Sequence, residues 1–164
     1  MKQNLIELAA PRFETGPELI IAGIREQYTA DTSTGIPLQW QRFEPWIGSL
    51  PGQIGITTYG VISETGHDGL FDYYCGVEIS DAAPVPADLT RLRIPPQHYA
   101  VFSHREHISR LRATFRTIFC QWLPDSGLKL VDSPVFERYG KEFEARTGNG
   151  GLEIWLPIVS PPIP

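Results

Sequence analysis

The sequence predicts an α+β domain made of two strand–helix–strand–strand units, with an antiparallel sheet, two helices on one of its faces and a central ligand groove. Three observations predict it. Strand-like and helix-like runs follow the same order in each half of the chain. Short echoes recur at similar offsets: Tyr59-Gly60 against Tyr139-Gly140, and Gly76-Val77-Glu78-Ile79 against Gly151-Leu152-Glu153-Ile154. A segment with two prolines, DAAPVPAD, separates the halves. The expectation is one domain over residues 1–164, with pseudo-repeats at about 12–83 and 89–160.

Each element has a local reason. Glu18–Tyr28 is rich in strand formers and reads as the first strand. Asp31, Thr32, Ser33 and Thr34 then offer helix caps, and Pro37 suits a first helical turn. Ile36, Trp40, Phe43 and Ile47 follow at helical spacing, and Pro45 and Gly48 limit the helix. Gln53–Ile62 and Phe71–Ser80 read as strands around the turn-rich SETGHDG. In the second half, Leu92–Ser103 reads as strand material broken by Pro95 and Pro96. The clearest helix runs from about Arg105 to Trp122, with Ile108, Leu111, Phe115, Ile118, Phe119 and Trp122 on one stripe. Pro134–Gly140 and Gly151–Val159 complete the sheet around the loop EFEARTGNGG.

Composition narrows the function. The 164 residues carry 19 acidic and 14 basic side chains, a formal charge of -5. Phosphate backbones call for a basic surface, so direct nucleic-acid binding is not expected. No apolar run is long enough to cross a bilayer, and none at the N-terminus makes a signal peptide, so a cytoplasmic location is expected. Cys75 and Cys120 are far apart and read as free core thiols. His104 and His107, three residues apart, lack a third ligand and read as a solvated helix start. His67-Asp68-Gly69 reads as a turn. No cofactor or metal motif is present, nor a nucleophile elbow or phosphate loop. Arg105, Arg110, Arg112 and Arg116 read as a solvated basic face of the second helix.

The residues that could carry chemistry sit on the last two strands. Alternation puts Glu137 and Tyr139 on one face of their strand, and Glu153 and Trp155 on one face of theirs. An acid and an aromatic on each strand could meet in a cleft. Aromatic faces and a carboxylate together suit an organic cation. The same pattern also suits two glutamates solvated on an open sheet face. Trp40 and Phe119 could each line a pocket or simply pack in the core, and Tyr59 sits on a half-buried strand.

The segment PVFERYGKEFEARTGNGGLEIWLPI, together with ITTYGV and the long helix preceded by HYAVFSH, resembles the GyrI-like, or AraC-type effector-binding, superfamily. The resemblance covers nearly the whole chain. It implies a duplicated α+β module with a central groove. In multidrug-sensing members, a buried glutamate among aromatics binds lipophilic cations. By resemblance Glu137 matches that acid, Trp155 the aromatic of the last strand, Tyr59 and Trp40 the walls from the first half, and Phe119 a wall from the second helix. The chain begins directly with the first strand, so a stand-alone member without a helix-turn-helix is expected.

Three functions follow from this reading. The first is a binding domain for cationic, amphipathic or aromatic compounds, in drug sensing or sequestration, with Glu137, Trp155, Tyr59, Trp40, Phe119, Glu153 and Tyr139 as its ligand-binding set. The second, implied by relatives that resemble hydrolases of electrophilic cyclopropane compounds, makes Glu137 and Tyr139 catalytic. The third is a gyrase-inhibitor-type module that binds a protein partner such as a topoisomerase.

Overall fold

The computed structural model describes residues 5–65 and 69–159. His67 and Asp68, read above as part of a turn, lie outside the described residues. Eight strands form one antiparallel sheet: β1 (Arg12–Gly16), β2 (Leu19–Tyr28), β3 (Gln53–Glu64), β4 (Phe71–Ile79), β5 (Thr90–Ile94), β6 (Gln97–His104), β7 (Val135–Tyr139) and β8 (Leu152–Pro157). Their order is β1-β6-β8-β7-β3-β4-β2-β5. If β1–β4 are matched to β5–β8, the order reads the same from either end. Its centre lies between β7 and β3.

That symmetry contains two more strands than the sequence counted. RFETG forms β1, which was not expected, and the strand material over Leu92–Ser103 divides where its break was expected, into β5 and β6. Pro95 and Pro96 lie between them. Each of these extra strands pairs with the other half: β1 with β6, and β5 with β2. Only Pro17 and Glu18 join β1 to β2, and only Pro95 and Pro96 join β5 to β6. Such a link spans roughly 10 Å. Strands from opposite ends of the order therefore come together, and the sheet curls.

Curling gives the sheet two apolar faces. On the inner face, Ile21, Val61, Ile94, Tyr99, Val101 and Phe136 are essentially sealed from water without a helix over them. On the outer face, Ile20, Ala22, Tyr73, Cys75 and Val77 pack beneath the first helix. Ala100, Phe102, Ile154 and Leu156 pack beneath the second. Strand alternation makes this division, and β2 shows it in three successive residues: Ile20 out, Ile21 in, Ala22 out.

The first helix, α1 (Ile36–Phe43), has proline in its first turn as expected, and a 3₁₀ turn at Glu44–Trp46 ends it. Ile47 falls beyond it and is exposed. The second helical stretch starts three residues later than expected. It runs through a 3₁₀ turn (Ile108–Arg110), α2 (Leu111–Thr117), a π segment (Ile118–Trp122) and α3 (Leu123–Ser126). Pro124 accounts for the π segment. It has no N–H to give to the Cys120 carbonyl and its ring crowds that carbonyl, so the preceding turn widens. Gly127 then ends the stretch at φ 72°.

Of the two histidines expected at a solvated helix start, His107 is exposed and His104 is not. His104 is buried at the end of β6 and its ring bonds the Thr114 hydroxyl (2.7 Å) and the His107 carbonyl (3.0 Å). His107 caps the helical stretch, its Nδ1 accepting from the Ser109 N–H at 3.1 Å. Cys75 is a buried free thiol, whereas Cys120 is exposed and not a core residue. Among the described residues, no helix is long and apolar enough to cross a membrane.

Candidate functional site

Glu137 is central to the sheet and nearly closed off from water, 5% exposed. β7 places it directly opposite Gly60 of β3. The missing side chain at 60 is what admits it. A Cβ there would overlap both Glu137 Oε1 and the Tyr73 hydroxyl. Tyr73, on the far side of β3, reaches across the glycine and donates to Oε1 at 2.6 Å. Tyr139 donates to the same oxygen at 2.7 Å. Trp40, from α1, donates its indole N–H to the Tyr73 oxygen at 3.2 Å and sets its ring edge-on to Tyr139 at 5.5 Å. Phe143, from the β7–β8 loop, packs on the other side of Tyr139 at 4.8 Å.

The electrostatics follow from this enclosure. Burial pushes the Glu137 carboxyl up to about 6, against the two tyrosine hydrogen bonds, which favour its ionised form. Burial and the neighbouring carboxylate hold Tyr73 and Tyr139 well above the usual tyrosine range, so both remain donors. Burial, with the Glu137 charge adding to it, also pushes the Cys75 thiol up. Among the described residues no cation pairs with Glu137, and Oε2 accepts no hydrogen bond. The carboxylate is oriented by neutral donors and its charge is left unmatched.

A groove of about 810 Å³ opens beside it on the same face. Its floor includes Ile62 and Val135, which pair across β3 and β7 one step along from Gly60 and Glu137. One wall is the second helical stretch, where Phe115 and Phe119 stack with rings 10° from parallel. Phe71 and Pro134 add apolar surface. Glu137 itself does not line the groove and lies beneath the ring cluster of Trp40 and Tyr139.

The structure thus brings Glu137, Tyr139 and Trp40 together and places Phe119 in the adjoining groove. It does not bring Glu153, Trp155 and Tyr59 to them. The register pairs Glu137 with Ile154, Arg138 with Glu153 and Phe136 with Trp155. It also pairs Tyr59 with Arg138. Directly paired residues share a face, so these three candidates lie on the inner face, opposite Glu137. Trp155 stacks on Phe136 there at 5.4 Å, and Tyr59 meets Phe136 edge-on. Glu153 is neutralised: Arg12 pairs with it at 2.7 Å, Arg138 at 3.6 Å, and the Trp155 indole donates to it at 3.1 Å. Partial burial alone would raise its carboxyl, but these partners outweigh that and lower it.

Tyr73 is the partner missing from the sequence-derived set. Alternation along FDYYC separates Tyr73 and Cys75 from Tyr74, but only the strand order shows that β3 lies between β4 and β7. Gly60, a glycine inside a strand, was the available signal for a close approach.

A curled antiparallel sheet with helices on its outer face, an oriented buried acid and an aromatic groove define a small-molecule-binding domain. The chain belongs to the GyrI-like family: residues 9–159 match the GyrI-like small molecule binding domain. It is similar to the transcriptional regulator BrlR of Pseudomonas aeruginosa, 29% identical over 121 residues. That match takes in 73% of this chain and 44% of BrlR, so the chain spans about half the length of this curated relative. Two solved structures share the fold. SAV2435, bound to tetraphenylphosphonium, has a TM-score of 0.71 at 18% identity over 93% of this chain and 95% of that one. The C-terminal domain of EcmrR has a TM-score of 0.66 at 17% identity, covering 94% and 99%.

Proposed function

We propose that this domain binds lipophilic, aromatic cations, with Glu137 as the counter-charge and Trp40, Tyr139 and the Phe115–Phe119 wall as the apolar surround. One observation carries the reading: a buried carboxylate held by two tyrosines with no cation among the described residues paired to it. Isolated buried charge is costly, and a cation placed against it in a dry site relieves that cost. Aromatic faces add attraction for a cation that cannot hydrogen-bond. The phosphonium ligand of SAV2435 has this chemistry, and its fold is shared here.

The test compares methyltriphenylphosphonium with the neutral triphenylphosphine oxide, two probes of similar shape, by tryptophan fluorescence. Glu137→Gln should weaken the cation about a hundredfold, as expected for an ion pair in a water-poor site, and leave the oxide nearly unchanged. Equal loss for both probes overturns the charge assignment.

A second reading has its own support in the 2.7 Å bond between Tyr139 and Glu137. Glu137, ionised above about pH 6, would activate water against an electrophilic cyclopropane, and Tyr139 would return a proton to the opened carbon. Absence of product above the buffer rate removes this reading.

A further inference from the structure

We infer that the preferred ligand is a zwitterion, an aromatic cation that also carries a carboxylate, whose anionic end is taken by Arg112 and Arg116 at the groove. The inference rests on the cation-binding reading above and extends it along the groove. Arg112 and Arg116 stand one helical turn apart on α2 and both line the cavity, as do Phe115 and Phe119. Their charges are unspent. Seven other arginines of this acidic chain are held in ion pairs, whereas Arg112 and Arg116, like Arg105 and Arg146, are in none among the described residues, and of these four only Arg112 and Arg116 line the groove. Arg112 instead reaches the first half of the chain and donates to the neutral Ser33 hydroxyl at 2.8 Å. Glu64 and Asp132 line the strand and loop side of the same groove, and neither comes within ion-pair distance of the two arginines.

The groove floor approaches Glu137 along β7. Val135, on the groove floor, and Glu137 are two residues apart on one strand face, roughly 7 Å. A planar cation lying against Trp40 and Tyr139 would extend past Val135 along the Phe115–Phe119 stack. A carboxylate on a ring pendant from that cation and turned toward α2 would meet two guanidiniums, a donor arrangement suited to a planar anion. It would replace the neutral Ser33 oxygen as the partner of Arg112.

The probes are rhodamine 110, a zwitterion with a free carboxylate, and rhodamine 123, its methyl ester, which is a simple cation. Binding is followed by fluorescence anisotropy. The wild-type protein should hold rhodamine 110 about tenfold more tightly, the scale of one charge-assisted bidentate contact. Arg112→Gln with Arg116→Gln should erase that preference without weakening rhodamine 123, since two repelling charges are removed; both side chains are exposed, so folding should be unaffected. Glu137→Gln should weaken both dyes. Equal affinity of the wild type for the two dyes, or a preference that survives the double substitution, overturns the zwitterion inference while the cation reading stands. If the wild type binds neither dye, the cation reading falls and takes this inference with it.

Discussion

Two glutamates on adjacent strands have opposite fates. Glu153 faces the inside of the curl, where Arg12 and Arg138 neutralise it. Glu137 faces the helices, where two tyrosines orient it and none of the described residues supplies a cation. The first is a finished structural contact. The second is costly for the protein alone, and the cation-binding proposal rests on that cost. The difference arises from a single step of register. Glu137 pairs with Ile154 and Glu153 pairs with Arg138, so the two acids look through opposite sides of the same sheet.

The largest effect is expected at Gly60. Gly60→Ala would drive a methyl group into the Tyr73 hydroxyl and Glu137, at a cost of about 3 kcal/mol in urea unfolding. A change below about 0.5 kcal/mol would show that the tyrosine–glutamate contact is loose enough to yield. The next largest effect is a pH dependence of opposite sign on the two faces. The folded-state value for Glu137, about 6, lies above that of an ordinary glutamate. The folded protein therefore binds this proton more tightly, and stability rises as pH falls from above 6 to below the ordinary value of 4.5. Relative to Glu137→Gln, the wild type should gain about 2 kcal/mol between pH 7 and pH 4.5. A flat difference would mean that the acid is not desolvated. Glu153 behaves in reverse, because its carboxyl is lowered. Its contribution is present above the ordinary glutamate range and is lost as pH falls through its folded value. Glu153→Gln should cost at most about 1 kcal/mol at pH 7, since Arg12 and Arg138 are partly solvated, and should leave cation binding intact. A loss of binding on that substitution would place the ligand on the inner face.

Much of the fold was legible because it is local. The stripe of Ile108, Leu111 and Phe115 and the alternation of VFERY each depend on neighbours a few residues away. Glu137 and its strand-mate Tyr139 share a side for the same reason. The set was misassembled across strands, because register is a non-local property. Nothing within GLEIWLPI states that Trp155 opposes Phe136 and not Glu137. The inner core was hidden for a related reason. A sheet with one buried face should show apolar residues on alternate positions, and both faces of this one are buried. Residues such as Trp155 and Tyr59, assigned to a groove by the family resemblance, instead fill the interior of the curl. The strand β1 was missed because RFETG is polar and mostly exposed, and its place depends on pairing with β6.

The exchanged edge strands bear on how such a domain can be assembled at all. Each half lends its leading strand to the sheet of the other, so neither half has a complete edge of its own. A chain cleaved in the DAAPVPAD linker would leave two fragments, each with an unpaired strand and an open acceptor ladder. Those parts are complementary, so the fragments are suited to find each other and to close the same curl without a peptide bond between them. The covalent link across the middle of this chain thus supplies proximity, while the recognition between halves is written into the strands themselves.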